Sequence, residues 1–236
     1  MLHEHTFIPS DKFKDYEVCT ECGTYHSTAL MDRKELYENE YWSEEHGHSF
    51  WGDQINNLTL EEINGFSKVD KVLSYVKKPG IALEIGCAPG VVMNRLRRKG
   101  HTIYGVEPDA TLIPEIVKVA QCEPEKIIHG YFPEVKLPAK KFDHILAIDI
   151  VEHIEDYETF IWCCKELLNH DGKFIMMSPM IRNGIFRERD LCAHEHAWIW
   201  DHKYFADFLC TIFQEVIADT WQPGGHEMFI CKRIIK

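Results

Sequence analysis

An apolar run that leads into a glycine-rich turn constrains the fold of this chain more than any other stretch. Residues 82–92 read ALEIGCAPGVV, so the run carries the acid Glu84 and enters a turn with Gly86 and Gly90. Glycine adopts positive φ at little cost and lets the backbone approach a ligand closely. The residues that follow have a helical pattern, and a helix N-terminus favours an anionic group. We therefore expect a buried strand, a ligand-binding turn and a helix in succession.

The alternation of strand and helix continues to the end of the chain. A first helix, in SKVDKVLSYVKKPG, carries its apolar residues on one face and stops at the KPG sequence. Further helical patterns cover 91–99, 110–120, 156–168 and 201–213. The strand patterns read IALEIG, TIYGVEP, KIIHGYF, FDHILAID, GKFIMMSP, FQEVIADTW and HEMFICKRI.

Continuous apolar strands separated by helices are typical of a parallel sheet that is covered on both faces. The last two strands are joined by WQPGGH, which is a turn with no room for a helix, so they should pair antiparallel. We expect an α/β fold: a Rossmann-like, doubly wound, mainly parallel seven-stranded sheet that ends in an antiparallel hairpin, with a small N-terminal Cys/His segment. The predicted divisions are a leader (1–30), a helical linker or cap (31–64) and the main domain (65–236).

The turn itself indicates which kind of ligand it holds. A dinucleotide fingerprint needs glycine at its first, third and sixth positions. Here those positions are Gly86, Ala88 and Val91, so one of the three fits. Glu84 is also poorly suited to a pyrophosphate, but it suits a cationic ligand with donors, such as an amino acid's ammonium group.

The sequence Glu84-Ile-Gly86-Cys87-Ala88-Pro-Gly90 resembles motif I of class I S-adenosylmethionine-dependent methyltransferases, with Ala88 in place of the middle glycine. The resemblance extends over residues 65–236. It includes the acid Glu107 in YGVEPD at the end of the second strand, Asp149 at the end of the fourth, the sequence LLNHDGKFIMMSP, and the terminal hairpin. It implies S-adenosyl-L-methionine as the cofactor, and Glu107 accepting both ribose hydroxyls. The implied cofactor-binding residues are Glu84, Gly86, Cys87, Ala88, Gly90, Glu107, Pro108, Tyr131, Phe132 and Asp149, with Tyr131 or Phe132 against the adenine.

The sequence Asp149-Ile-Val-Glu152-His153 could serve the chemistry of the transfer. On a helical turn these positions are i, i+3 and i+4, so the three side chains would share one face. They could hold Mg²⁺ or Zn²⁺, or His153 could act as a base instead. The segment is similar to the E-x-x-E-H metal site of ubiquinone-biosynthesis O-methyltransferases and of small-RNA 2′-O-methyltransferases. Many methyltransferases without a metal also carry Glu-His here.

The sequence HEHAWIWDHKYF, residues 194–205, lies in a connection that often covers the acceptor pocket in this family. His194 and His196 are candidate acceptor contacts or a further ligand, and we include His196 with Glu152 and His153 as a catalytic candidate. Trp198 and Trp200 could form pocket wall, or could pack the following helix onto the sheet.

The N-terminal sequence Cys19-Thr-Glu-Cys22-Gly-Thr-Tyr-His26 resembles a zinc knuckle. Zinc in structural sites takes four nitrogen or sulfur ligands. Cys19, Cys22, His26 and either His5 or His3 would complete such a set. A redox pair or two ordinary thiols are the alternatives, although the segment precedes the fold and so lacks the context of a redox motif.

Charge and composition restrict the partners. The net charge of −12 argues against non-specific nucleic-acid binding, which depends on Lys and Arg contacts to phosphate. No apolar run approaches the roughly 20 residues that span a bilayer, the start has no apolar signal core, and the nine cysteines suit a reducing compartment, so we expect a cytoplasmic protein without membrane contact. The oligomeric state is open.

Three functions compete. The first is methyl transfer to oxygen or carbon of a small molecule, such as a sugar-like or other metabolite. The second is metal-dependent 2′-O-methylation of RNA, which DIVEHI and HEH favour and the acidic balance disfavours. The third is a zinc-binding interaction module on an inactive fold, against which the intact acids and glycines count.

Overall fold

A computed structural model describes residues 3–37, 67–138, 141–187, 191–220 and 225–233. Contacts between Cα atoms divide the chain into two compact units. Unit 1 is Met1–Met31 with Ala147–Lys236, and unit 2 is Asp32–Leu146. Most of the predicted helical linker, 31–64, lies outside the described residues.

The bounds of the elements in the described residues are as follows. The strands are β1 (Phe7–Pro9), β2 (Tyr16–Cys19), β3 (Tyr25–Ser27), β4 (Ile81–Ile85), β5 (Thr102–Glu107), β6 (Ile127–His129), β7 (Phe142–Ile148), β8 (Leu168–Pro179), β9 (Trp198–Ile199), β10 (Glu215–Thr220) and β11 (His226–Lys232). The helices are α1 (Arg33–Glu35), α2 (Ser67–Leu73), α3 (Val91–Arg98), α4 (Ile113–Ala120), α5 (Tyr157–Leu167) and α6 (His202–Ile212), with single 3₁₀ turns at Ala110–Leu112, Pro124–Lys126 and Val151–His153.

Seven strands form one sheet in the order β10-β11-β8-β7-β4-β5-β6. Strands β4, β5 and β6 pair in parallel, whereas β10 pairs antiparallel with β11 and β11 antiparallel with β8. The predicted mainly parallel sheet with an antiparallel terminal hairpin is therefore confirmed.

In unit 2, the helix predicted from the apolar periodicity of SKVDKVLSYVKKPG is shorter than expected but buries its apolar face. Helix α2 ends at Leu73, earlier than the pattern suggested, because the hydrogen bonds from the Tyr75 and Val76 amides reach back only three residues. Its apolar face is nevertheless buried: Val69, Val72, Leu73 and Val76 are each at most 9% exposed.

Unit 1 contains regular structure that the sequence did not suggest. The leader forms three strands, and β3 pairs antiparallel with β9 to complete a four-stranded sheet. Three- and four-residue strands are too short for alternation to stand out in a sequence. Phe13 and Tyr16 of the leader pack in one buried cluster with Ile181 and Ile199. No helix within the described ranges has the length and apolar character needed to cross a bilayer.

Candidate active site

The turn after β4 in unit 2 has the backbone geometry of a ligand cradle. Gly86 and Gly90 both have positive φ, 68° and 93°, and helix α3 starts directly after Gly90. A Cβ atom on Gly90 would lie 2.8 Å from the carbonyl oxygen of Ile116, so only glycine fits. The amides of Gly86 and Cys87 donate to the carbonyl of Val106, which ties the turn to β5.

Glu84 lies buried at the end of β4 and contributes a carboxylate to the turn. It is 5% exposed, and burial raises its pKa well above the usual range although the amide of Met93 donates to it. Its Oε2 atom has no hydrogen-bond partner among the described residues. A buried oxygen without a partner is costly, so a donor on a bound ligand would relieve that cost.

Glu107 ends β5 and lies over the same turn. Its Oε2 accepts from the amide of Ala88 at 3.2 Å, and its Oε1 accepts from the amide of Asp109 at 3.1 Å. Burial raises the pKa of Glu107 to about 7. A carboxylate held this way by backbone amides retains lone pairs that can accept from a diol. Pro108 lies between these groups and its carbonyl accepts from the ring of His129.

Cys87 is buried inside the turn. Its Sγ atom packs closely on Gly105 of β5, since a Cβ atom at that position would lie only 2.5 Å from the sulfur. Burial, with Glu107 next in importance, raises the pKa of the Cys87 thiol well above its usual range. The protonated thiol is no nucleophile, and Cys87 contributes backbone to the turn.

Tyr131 and Phe132 follow β6. The Tyr131 hydroxyl donates to the carbonyl of Arg33 at 3.4 Å, and the Arg33 guanidinium lies 5.0 Å from the centre of the Tyr131 ring. Phe132 is buried. Their predicted contact with an adenine stays a prediction.

In unit 1, Asp149 does not share a helical face with Glu152 and His153. It has a left-handed φ of 55°, and the 3₁₀ turn that carries Glu152 and His153 begins only at Val151. The i, i+3, i+4 argument therefore fails, because the backbone is not helical at 149. The Asp149 carboxylate instead lies 3.3 Å from the His226 ring, on β11.

His196 takes the place beside Glu152 and His153 that had been expected of Asp149. One ligand atom from each of these three residues lies within 4.8 Å of the others. Ser178 Oγ donates to Glu152 Oε2 at 2.9 Å, and Glu152 is 1% exposed. The rings of His153 and His196 meet edge to face, with centroids 4.8 Å apart.

His153 is held as a neutral imidazole. Burial, and next the nearby His196, lowers its pKa to about 3. Its Nδ1 atom lies 3.0 Å from the carbonyl oxygen of Glu195. A carbonyl can only accept, so Nδ1 carries the proton and Nε2 keeps the lone pair. The Nε2 atom of His153 is therefore available to accept a proton or to bind a cation.

The side chains of His194, Trp198 and Trp200 make packing contacts and hydrogen bonds within unit 1. The His194 ring, on an exposed residue, lies 3.1 Å from the carbonyl of Ala29. Trp200 is fully buried and packs against Phe205 and Tyr157, with ring centroids 4.5 and 5.2 Å away. Trp198 donates to the carbonyl of Glu155 at 3.0 Å. These aromatic residues pack α5 and α6 within unit 1.

The leader of unit 1 holds a second cluster. His3, His5, Cys19 and Cys22 each offer one ligand atom, and these four atoms lie within 4.8 Å of one another. Burial raises the pKa of Cys19, but hydrogen bonds from the Cys22 amide, His5, His3 and the Glu21 amide outweigh it and lower that pKa to about 5. The structure thus brings together three of the four predicted ligands, Cys19, Cys22 and His5.

His26 is not in this cluster. Strand β3 places it opposite Trp198, its Nδ1 lies 3.0 Å from Glu17 Oε1, and its ring centroid is 4.5 Å from that of Trp198. His3 takes its place. Ser178 was not among the predicted site residues, because the sequence MMSP carries no recognisable signal. His3 was predicted only as an alternative to His5, and the H-x-H spacing of these two residues could have indicated that both are ligands.

The chain is similar in sequence and in fold to known methyltransferases. A family model described as "Methyltransferase domain" matches residues 58–216. The chain is 30% identical over 150 residues to the mitochondrial ubiquinone biosynthesis O-methyltransferase of Homo sapiens, an alignment of 55% of this chain and only 40% of the human protein. It is 29% identical over 199 residues to an uncharacterized methyltransferase of Geobacillus thermodenitrificans, covering 78% of this chain and 88% of that protein.

Among solved structures, the magnesium protoporphyrin IX methyltransferase of Synechocystis, crystallised with bound S-adenosylmethionine, superimposes with a TM-score of 0.60. It is 13% identical, and the match covers 87% of this chain and 99% of that one. At this identity the likeness speaks for the fold alone.

Proposed function

This chain belongs to the methyltransferase-domain family, and from that premise we propose that it transfers a methyl group from S-adenosyl-L-methionine to oxygen or carbon of a small molecule, such as a sugar-like or other metabolite. The observation that carries the proposal is the turn after β4, where Glu84 has a buried oxygen that finds no hydrogen-bond partner in the described part of the chain, beside two glycines of positive φ. The ammonium group of the cofactor would supply the missing donor.

The residues of unit 2 fit the cofactor part by part. Gly86 and Gly90 give the turn its positive-φ backbone, along which the amino-acid tail would lie, and glycine at 90 also avoids a collision with the Ile116 carbonyl. Glu107 would accept from the ribose hydroxyls, because both its oxygens retain lone pairs after accepting the Ala88 and Asp109 amides. S-adenosylmethionine supplies the electrophilic methyl group, so the protein chiefly positions the reactants and excludes water.

In unit 1, Glu152, His153 and His196 would act on the acceptor. The neutral imidazole of His153 can accept a proton at Nε2, because its Nδ1–H is held by the Glu195 carbonyl. General-base assistance contributes about 10²–10⁴-fold when the pKa of the base lies near the operating pH, so the low pKa of His153 in the unliganded site favours the lower end of that range. The residue would remove the proton of a hydroxyl as the methyl group arrives.

The same three residues also suit a cation. Two imidazoles and one carboxylate match the donor set of catalytic zinc, whereas Mg²⁺ prefers oxygen ligands. If the cluster holds a metal, Zn²⁺ therefore fits it better than Mg²⁺. The ligands would be Glu152, oriented by Ser178, together with His153 and His196.

The cluster also supports the second candidate, metal-dependent RNA 2′-O-methylation, because it brings Glu152 and His153 of DIVEHI together with His196 of HEH. The net charge of −12 counts against it, since RNA binding needs cationic contacts to phosphate. The third candidate, an inactive interaction module, predicts no cofactor binding at all.

Calorimetry with S-adenosylhomocysteine tests the proposal. We expect micromolar binding by the full chain, loss of most affinity in Glu107→Ala, and no change in Glu115→Gln, whose carboxylate on α4 is paired with Lys118. Absence of binding at high micromolar ligand would overturn the methyltransferase proposal and favour the inactive module.

The acceptor class is tested with tritiated S-adenosylmethionine and a cell extract divided into metabolite and RNA fractions. Label in the metabolite fraction, lost in His153→Gln, supports the small-molecule proposal. Label confined to RNA, and dependent on added metal, would replace it with the second candidate.

A further inference from the structure

The four ligand atoms of the leader cluster have the spacing of a tetrahedral metal site. His3 Nε2 lies 3.4 Å from Cys19 Sγ, and His5 Nδ1 lies 3.7 Å from Cys22 Sγ. Zinc bonds of about 2.3 Å to sulfur and about 2.0–2.1 Å to nitrogen, at a tetrahedral angle, put nitrogen and sulfur about 3.6 Å apart. The two measured distances lie on either side of that value.

The Cys19–Cys22 turn is shaped to present both sulfur atoms to one point. The Gly23 amide donates to the Cys19 carbonyl at 3.0 Å, and the Cys19 amide donates to the Thr24 carbonyl at 2.8 Å. Gly23 has a φ of 73°, which a side chain would disfavour. Backbone amides of Glu21 and Cys22 also face Cys19 Sγ, and Thr24 donates to Cys22 Sγ. At Cys19 these donors lower the pKa of the thiol and favour the thiolate, the form of cysteine that binds metal, whereas burial still raises the pKa of Cys22.

Helix α6 supplies an outer partner for one histidine. The Tyr204 hydroxyl lies 3.0 Å from His5 Nε2. An imidazole that binds metal through one nitrogen donates its other N–H to an oxygen, which fixes the ring and its tautomer. His5 therefore has Nε2 engaged by Tyr204 and Nδ1 directed to Cys22 Sγ, as a ligand requires.

We propose that His3, His5, Cys19 and Cys22 bind one Zn²⁺ ion, and that this ion fixes the leader strands against the segment that carries His196. His3 and His5 precede β1, whereas Cys19 ends β2 and Cys22 follows it, so the ligands meet at the open end of the β1–β2 hairpin. Tyr204 joins them to α6. A segment this small gains stability from a metal that it cannot gain from its core alone.

The connection from the metal cluster to His196 runs through backbone hydrogen bonds. Strand β3 pairs with β9, opposing Tyr25 to Ile199 and His26 to Trp198. Ser27 donates from its amide to the Ala197 carbonyl at 2.9 Å and from its hydroxyl to the Ala193 carbonyl at 2.5 Å. The 193–199 segment is thus held on both sides of His196. The importance of His196 rests on the proposed function, whereas zinc binding by the leader does not.

Cobalt substitution separates this site from the Glu152 cluster, because only thiolate ligands give a sulfur-to-cobalt charge-transfer band. With the full chain we expect that band together with the intense visible absorption of tetrahedral Co²⁺, and displacement of both by one equivalent of Zn²⁺. Absence of the charge-transfer band from reduced wild-type protein would overturn the proposal, as would a Cys19–Cys22 disulfide that persists under mild reduction.

Variants then identify the ligands. We expect Cys22→Ala and His3→Ala to lose the thiolate-bound zinc. The control variants His26→Ala and Cys210→Ser, which replaces an exposed cysteine, should keep it. Tyr204→Phe should retain zinc with affinity lower by about 10–100-fold, the usual cost of losing an outer partner. Zinc loss in His26→Ala but not in His3→Ala would refute the ligand set.

Hydrogen exchange tests the second half of the proposal. Chelation of the ion in wild-type protein should increase exchange in residues 16–27 and in 193–199, and unit 2 should still bind S-adenosylhomocysteine. Unchanged exchange in 193–199 after complete zinc removal would overturn the link to His196. Failure of the methyltransferase proposal shows as absent S-adenosylhomocysteine binding, so the two failures are distinguishable.

Discussion

The imidazole Nδ1 of His153 donates to the carbonyl oxygen of Glu195 at 3.0 Å, across 42 residues of sequence. This one bond determines which nitrogen of His153 carries the proton and therefore which nitrogen can accept one. It also links the 3₁₀ turn after β7 to the segment that carries His196, so that two distant pieces of sequence form a single cluster with Glu152.

The first prediction concerns Ser178, which orients Glu152 by a hydrogen bond to Oε2. We expect Ser178→Ala to lower methyl transfer by about tenfold, since the loss of one buried hydrogen bond costs about 1–3 kcal/mol. The rate should fall while the dissociation constant of S-adenosylhomocysteine stays the same. Ser74→Ala, which removes an exposed hydroxyl bonded to the Lys71 carbonyl, is the control. An equal fall in both variants would argue against a positioning role for Ser178.

The second prediction assigns Glu84 to the amino-acid part of the cofactor. Glu84→Ala should weaken S-adenosylhomocysteine binding by tenfold or more, because a buried carboxylate facing an ammonium is removed. Binding of methylthioadenosine, which lacks the amino-acid tail, should change little. Calorimetry with both ligands gives the comparison, and an equal loss for the two would place Glu84 outside the tail site.

The third prediction is a pH dependence of cofactor binding. Burial raises the pKa of Glu107 to about 7, and the ribose hydroxyls need the ionised carboxylate. Below pH 7 binding must release a proton, so affinity should rise up to about tenfold per pH unit towards pH 7 and level off above it. The stability of the unliganded protein should depend on pH in the opposite direction. Because the pKa of Glu107 is higher in the folded than in the unfolded state, its contribution to stability is lost as the pH rises from the unfolded pKa through 7.

Affinities of S-adenosylhomocysteine at pH 6, 7 and 8 measure this effect, with proton release obtained from two buffers of different ionisation enthalpy. In Glu107→Gln the dependence should flatten. Glu84 is the other carboxyl of the turn with a pKa raised by burial, so Glu84→Gln is measured in parallel. If Glu84→Gln alone flattens the profile, Glu107 is not the titrating group.

The fourth prediction concerns Gly90. Gly90→Ala should destabilise the fold by about 1–3 kcal/mol, since the new side chain would adopt φ 93° and meet the Ile116 carbonyl at 2.8 Å. It should also abolish measurable S-adenosylhomocysteine binding. Gly100→Ala is matched in φ, at 88°, but its nearest neighbour is Pro79 at 3.9 Å. Urea unfolding should show a smaller loss for Gly100→Ala, with cofactor affinity retained; loss of affinity in both would trace the effect to global instability.

From residue 67 onwards the order of strands and helices could be predicted from local pattern, except for the two-residue strand β9. Each apolar strand and each amphipathic helix depends on residues that are neighbours along the chain. The turn of Gly86 and Gly90 can likewise be recognised from its own short sequence. The leader strands could not be predicted in the same way, because Phe7–Pro9 and Tyr25–Ser27 are three residues long and pair partly with a strand near residue 198.

By itself, the sequence determined the α/β alternation, the glycine turn and the pair of acids, Glu84 and Glu107, at the ends of adjacent strands. Only the tertiary structure decided which side chains meet: His196 rather than Asp149 beside Glu152, and His3 rather than His26 beside Cys19. The reason is physical. A turn or an amphipathic face depends on neighbours along the chain, whereas a ligand set depends on backbone directions such as the left-handed φ of Asp149 and the pairing of β3 with β9. Those directions are fixed by packing between residues far apart in sequence.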